Sequence, residues 1–366
     1  MSSQTVDEES RQSQRRRRQI PRSLVPARRI RYGSDCSGYD AAAIALKYLR
    51  VPHQHCFASE KNSRYRRVLA ATHEIDRIDV DITTRSFDSL PHVDIYTAGF
   101  PCTPFSGMGT RDGPDAADGS GLLGLFIVMT IRFVRPAGFI LENVPALITV
   151  YLEFFYELLR ELASLGYELH WKVLNSKNHG VAASRLRLYL VGIRKDLKRG
   201  RWGWPASVAP VPLTSILDSN HRRRSLNQLN MTNLRNLCNG IEKIKAKHPD
   251  ANVDEEPWVI DLQSSQAYGT QVKYNQLPCI TRARAQQGFW VTKLHDFTNV
   301  SELLKAQGVR QLQDVKRGSV PENALRQMVG NSFTVTVFER LWARLLPIIG
   351  CGNPVDRFSL ATDFEY

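Results

Sequence analysis

The sequence predicts an α/β fold: a mostly parallel sheet with helices on both faces, joined to a smaller basic unit. Three observations point there. Between residues 30 and 193 short apolar runs alternate with amphipathic stretches, the rhythm of strand–helix–strand crossovers. The chain has 366 residues and is 42% hydrophobic, enough for one large core and a smaller companion. Beyond 193 the texture changes, since residues 194–249 hold twelve Lys/Arg against three Asp/Glu.

Each element has its own signal. Residues 30–34 read as a strand and 40–49, rich in alanine, as a helix. A strand at 55–59 and a helix at 63–72 follow. Residues 93–98 are strand-like and run into Gly99, 122–134 read as a helix, and 138–141 as a strand. At 151–165 leucines and aromatics recur at helical spacing. Strands are expected at 167–174 and 186–193. No clear alternation continues through 194–295, which reads as the smaller basic domain, part of it helical. Residues 321–346 are helical again, within a segment at 296–348 that packs back on the first domain. Residues 1–29 read as a disordered basic arm and 349–366 as a tail.

Charge narrows the function. The net charge is +13, from 49 Lys+Arg and 36 Asp+Glu. The first 29 residues contribute +5 of it and the rest +8, so the excess is not only a tail effect. A polyanionic partner follows, nucleic acid ahead of a membrane surface, with a plain solubility bias as the alternative. The four arginines at 15–18 read as a nuclear import signal, a phosphate-gripping arm or a solvated tail. The greasiest stretch, 121–131, has 11 residues, well short of the roughly 20 that cross a membrane. No signal-peptide core opens the chain, so an intracellular protein is expected, nuclear if eukaryotic and otherwise cytoplasmic. None of the six cysteines forms a CxxC pair, so neither zinc nor a disulfide framework is expected. At least one cysteine is then free to act as a nucleophile.

Four segments carry chemistry. GFPCTPFSG at 99–107 follows a strand and presents Cys102, where ligands of open α/β sheets bind; a buried structural cysteine is the bland alternative. FILENVP at 139–145 ends an apolar strand on Glu142 and Asn143. A carboxylate there is costly unless used or paired, and with a raised pKa it can donate a proton to a ring nitrogen. In NSKNHGVAASRLRLY at 175–189, Arg185 and Arg187 alternate at the start of a strand, so both point to one side. GSDCSGYD at 33–40 follows the first strand, and its small residues let a nucleotide-like group approach the backbone. Glu60 follows the second strand, where an acid often holds ribose hydroxyls.

In order and spacing these segments resemble the cytosine-C5 DNA methyltransferase family. The resemblance runs through SDCSG, Glu60, Asp81-Ile82, GFPCTPFS, LENV, NSKNHGVAASRLRLYLVGI, the LLKAQG run at 303–308, and QMVGNS at 327–332. It covers about residues 30–193 and 277–340. It implies a Rossmann-like class I methyltransferase sheet plus a basic target-recognition domain at 194–295. The catalytic group would be Cys102, Glu142, Asn143, Arg185 and Arg187. S-adenosylmethionine, leaving as S-adenosylhomocysteine, would lie against Asp35, Cys36, Ser37, Gly38, Glu60, Asp81, Ile82, Pro101, Leu123, Asn331 and Ser332, with no metal. Double-stranded DNA is the implied partner. An RNA-acting branch of the family and a non-catalytic nucleic-acid-binding member are the competing expectations. The sequence also departs from the family. Asp40 and Ala41 stand where glycines are usual, and Cys36 stands where an aromatic is usual. The glutamine of Gln-x-Arg-x-Arg is replaced by Ala183, Ser120 takes an arginine's place, and Thr103 a glutamine's.

Overall fold

The computed structural model describes residues 29–100, 122–218, 223–265 and 269–358. The expected arm, with arginines 15–18, therefore lies outside the described residues, as do Pro101, Cys102, Thr103 and Ser120.

Seven strands form the main sheet: β1 (Ile30–Asp35), β2 (His53–Ser59), β3 (Ile78–Asp79), β4 (Ile95–Ala98), β5 (Gly138–Asn143), β6 (Tyr167–Asn175) and β7 (Leu186–Arg194). Their order is β3-β2-β1-β4-β5-β7-β6. The first five are parallel, while β7 runs antiparallel to β5 and to β6. A parallel neighbour needs a crossover of a dozen or more residues. Only a short 3-10 turn, Ser176–Asn178, and a loop separate β6 from β7, so the pair folds back as a hairpin.

Alternation along the strands sorts their side chains to two faces. Ile95, Ile140, Tyr189 and Val191 enter one core, which is covered by α1 (Ala41–Tyr48), α2 (Ser63–Thr72), α8 (Glu322–Asn331) and α9 (Val335–Ile348). Tyr96, Phe139, Leu141, Leu188 and Leu190 enter the other, covered by α3 (Leu123–Val134) and α4 (Leu152–Ser164). The period of two carries straight on to the functional end of β5. Glu142 belongs to the α8–α9 side and Asn143 to the α3–α4 side.

Past β7 lies a second, antiparallel sheet, β11-β10-β8-β9. Its strands are β8 (Trp258–Ile260), β9 (Val272–Tyr274), β10 (Trp290–Val291) and β11 (Asp296–Phe297). The 17-residue helix α5 (Met231–Lys247), capped by Asn230, packs on it through Leu237 and Ile244. Trp258, Ile260, Trp290 and Phe297 complete this small core. Val259 and Val291 point the other way, into the main core. Helix α6 (Arg282–Gln287) connects β9 to β10, and α7 (Val300–Ala306) follows β11 on the way to α8.

The structure adds detail to three expectations. The boundary at 295 cuts through a hairpin, because β11 pairs with β10 across a turn that His295 closes at φ +48°. The helical stretch expected over 321–346 consists of two helices, separated at Ser332, where α8 ends in extended backbone. The described part of the expected tail is docked: Asp356 is buried with its Oδ2 3.6 Å from Arg340 Nε.

Candidate active site

The strand order places the ends of β2, β1, β4 and β5 side by side, and the sequence-predicted residues gather there. On the β1–β2 side, the turn after β1 is tied down from several directions. Ser37 Oγ lies 2.7 Å from Ser34 Oγ, and the Gly38 amide donates to Glu60 Oε2 at 3.0 Å. The Asn62 amide takes Glu60 Oε1 at 2.9 Å. Burial pushes the Glu60 carboxyl up, against the pull of these two amides. Tyr39 OH meets Ser332 Oγ at 2.7 Å, so the turn is joined to the end of α8. Gly38 sits at φ +56°, and among the described residues the only atom near a Cβ placed on it is Met328 Cγ, 3.9 Å away. This glycine-floored turn beside a carboxylate fits a nucleoside-bearing group approaching the backbone.

Other expected cofactor residues stand differently. Asp35 has a buried carboxylate, with Arg85 donating to it at 2.7 and 2.6 Å and Tyr96 OH at 2.6 Å. It anchors the end of β1 from within, which leaves the backbone of the turn that follows to meet a ligand. Cys36 is half-buried at φ +53°, and burial together with Asp35 and Glu60 pushes its thiol up, which disqualifies it as a thiolate. Asp81, just after β3, accepts from the Thr83 amide at 2.9 Å and lies 3.1 Å from Lys61 Nζ. Ile82 is buried in the α3–α4 core, Leu123 opens α3 half-buried, and Asn331 is exposed.

At the end of β5 the α8 side holds a carboxylate in low dielectric. Glu142 is 8% exposed, with Arg187 Nε 3.0 Å from its Oε1. Burial pushes its carboxyl up, and Arg187 and then Arg185 pull against that. On the opposite face Asn143 Nδ2 donates to the Phe100 carbonyl at 3.4 Å, while its Oδ1 accepts from the Val144 amide at 2.8 Å. Asn143 thus grips the last described residue before Pro101 and Cys102. Gly99 explains how that segment passes the glutamate. A Cβ there would lie 3.5 Å from Glu142 Oε2 and 2.3 Å from the Phe333 ring, so only glycine fits.

The two arginines share a side of β7 and divide the work. Arg187 faces Glu142, whereas Arg185, 4% exposed, donates to the carbonyls of Ile280 at 2.8 Å and Gly330 at 3.1 Å. It braces the end of α8 against the segment before α6. Reasoning from sequence missed Tyr32, which lies within β1, and Arg85, Tyr96 and Phe333, which support the site from strands and loops farther along the chain. Among the described residues no cluster of His, Cys, Asp and Glu could hold a metal ion, and no helix is long and apolar enough to cross a membrane.

Comparison with known proteins bears on this geometry. Residues 33–346 match the family model for C-5 cytosine-specific DNA methylase. The chain belongs to that family. Among curated members, it is 38% identical over 124 residues to the Type II methyltransferase M.NlaIV of Neisseria lactamica, covering 32% of this chain and 29% of that one. With M.HaeII of Haemophilus aegyptius it shares 26% identity over 290 residues, 77% of this chain and 80% of the relative. This member of the family thus spans less than a third of the length of M.NlaIV but most of M.HaeII. A prophage-encoded methyltransferase structure from E. coli superposes with a TM-score of 0.63 at 14% identity, over 88% of this chain and 99% of the other, which establishes the shared fold. These relatives are bacterial and give no support to a nuclear address for arginines 15–18.

Proposed function

We propose that the protein transfers a methyl group from S-adenosylmethionine to C5 of cytosine in double-stranded DNA, in the cytoplasm. The observation that carries this reading is the buried Glu142, paired with Arg187 and lying against Gly99 at the threshold of the segment bearing Cys102. Cytosine C5 is a poor nucleophile until C6 is attacked. The Cys102 thiolate adds to C6, and Glu142, whose carboxyl burial has raised, delivers a proton to N3. C5 then carries the electron density of an enamine. S-adenosylmethionine, when bound, supplies a methyl group on a positively charged sulfur. Loss of the C5 proton and departure of the thiolate restore the ring, leaving 5-methylcytosine, S-adenosylhomocysteine and one proton.

The chain's own residues set up these steps. Arg187 holds the Glu142 carboxyl and faces the O2 side of the base, while Asn143 fixes the backbone at Phe100 and so aims the cysteine loop. Gly38, Glu60 and Ser332 would hold the methyl donor across the ends of β1 and β2. The stacked duplex hides C6, so the base must swing out, at a cost of a few kcal/mol. The region after β7, with its basic run and second sheet, would grip phosphates and read flanking bases.

The test is transfer of labelled methyl from S-adenosylmethionine to duplex DNA and to total RNA, with Cys102→Ala alongside. Label in DNA that disappears in a folded Cys102→Ala protein supports the proposal. Label in RNA alone would reassign the substrate, and label unaffected by Cys102→Ala would refute the nucleophile.

A further inference from the structure

Beneath the turn at 35–39 lies a polar cluster that the chemistry above does not use. At its centre is Asp40, with φ +52° and ψ +71° and 1% exposed. Its carboxylate accepts from Tyr32 OH at 2.8 and 3.1 Å and from the Ala43 amide at 2.9 Å. His55 Nε2 stands 3.5 Å from its Oδ2. Three elements, β1, α1 and β2, therefore meet on one side chain. The cluster reaches the turn directly. His55 Nε2 is 3.1 Å from Ser34 Oγ, which is 2.7 Å from Ser37 Oγ, and the Asp40 amide donates to the Ser37 carbonyl at 2.8 Å. On the β4 side Tyr32 OH meets Thr97 Oγ1 at 2.6 Å, and above the turn His73 Nε2 lies 2.8 Å from the Tyr39 carbonyl oxygen.

A helix cap alone does not account for this arrangement. Capping needs one side-chain oxygen, and the other can face water. A carboxylate with almost no exposure must find all its partners inside, and here each partner belongs to an element framing the turn. The left-handed backbone is one that glycine adopts freely and that aspartate and asparagine tolerate best among the others. Aspartate adds what glycine lacks, an anchor that removes conformational freedom from the turn before anything binds. Burial pushes the His55 ring down to about 3, against the pull of Asp40, so the ring is neutral at physiological pH and its Nε2 faces two oxygens.

We propose that Asp40 is a positioning residue for the methyl donor: its buried carboxylate locks the 36–39 turn in the shape that receives S-adenosylmethionine. This rests on the reading of that turn as the donor site. The test uses the full chain and two readouts, calorimetric affinity for S-adenosylhomocysteine and steady-state kinetics with S-adenosylmethionine. Asp40→Ala should raise the Kd and the donor KM by about tenfold while kcat at saturating donor stays nearly constant. Asp40→Asn, which tolerates the backbone and still accepts from Tyr32 and Ala43, should recover most of the affinity. Asp40→Gly keeps the backbone without the anchor and should bind as weakly as Asp40→Ala. Tyr32→Phe, a milder change, should weaken binding several-fold in a protein folded by circular dichroism. The proposal is overturned if Asp40→Ala or Tyr32→Phe melts earlier yet binds S-adenosylhomocysteine like wild type, or if Asp40→Gly binds like wild type. Failure of the wild-type protein to bind S-adenosylhomocysteine would instead refute the donor site itself.

Discussion

In the proposed reaction Glu142 carries the heaviest chemical load of any described side chain. Its burial raises its pKa, so the folded protein keeps a proton on it over a range where the unfolded chain has released it. Folding is therefore favoured below the ordinary glutamate value, and that stability is lost as pH rises through the folded-state pKa. Glu142→Gln removes the titration. Its melting temperature relative to wild type should climb as pH rises across that window, while turnover falls by about 10²–10⁴. A constant difference in melting temperature across pH would contradict the raised pKa. Glu142 and Asn143 were legible because an apolar strand ending in two polar residues is costly unless both are used. Asp35 was legible only as polar. Its partners Arg85 and Tyr96 lie 50 and 61 residues further on, and nothing in their local sequence announces them.

Helix α8 does its work through the way its end is held. A Cβ on Gly330 would lie 2.5 Å from the backbone of Thr281 and Arg282, and Arg185 binds the carbonyls of Gly330 and Ile280 across that same contact. Gly330→Ala should push α8 off the segment before α6, costing about 1–3 kcal/mol of stability. It should also displace Ser332 from Tyr39 and weaken S-adenosylhomocysteine binding. An unchanged urea midpoint with unchanged affinity would show that the contact yields without consequence. Elements with strong periodicity were readable from sequence: the helix expected at 63–72 is α2, with the same limits. The hairpin sense of β6 and β7 was not read, although the missing crossover helix between them was its signal. The break at Ser332 was signalled by Gly330, Asn331 and the N-cap Thr334 but was not read, since helical spacing continues on both sides of it.

At the scale of the molecule, two sheets share one body. Alternate residues of β8 and β10 enter the small core and the main core in turn, Trp258 and Ile260 against Val259, Trp290 against Val291. The region we assign to reading DNA is thus fastened to the catalytic sheet by the same alternation that builds either sheet. Its basic charge was legible in composition. Its fold was not, because strands of two or three residues leave no period to detect. The central claim is that Cys102 attacks cytosine C6 in a site prepared by Glu142 and Asn143. The most direct measurement replaces the target cytosines of duplex DNA with 5-fluorocytosine. Fluorine leaves no C5 proton to lose after methyl transfer, so elimination stops and the adduct persists. With S-adenosylmethionine present, the account predicts a denaturation-resistant protein–DNA complex whose attachment maps to the Cys102 peptide and which Cys102→Ala does not form. Attachment at another cysteine, or methyl transfer to ordinary DNA with no trapped complex, would contradict it.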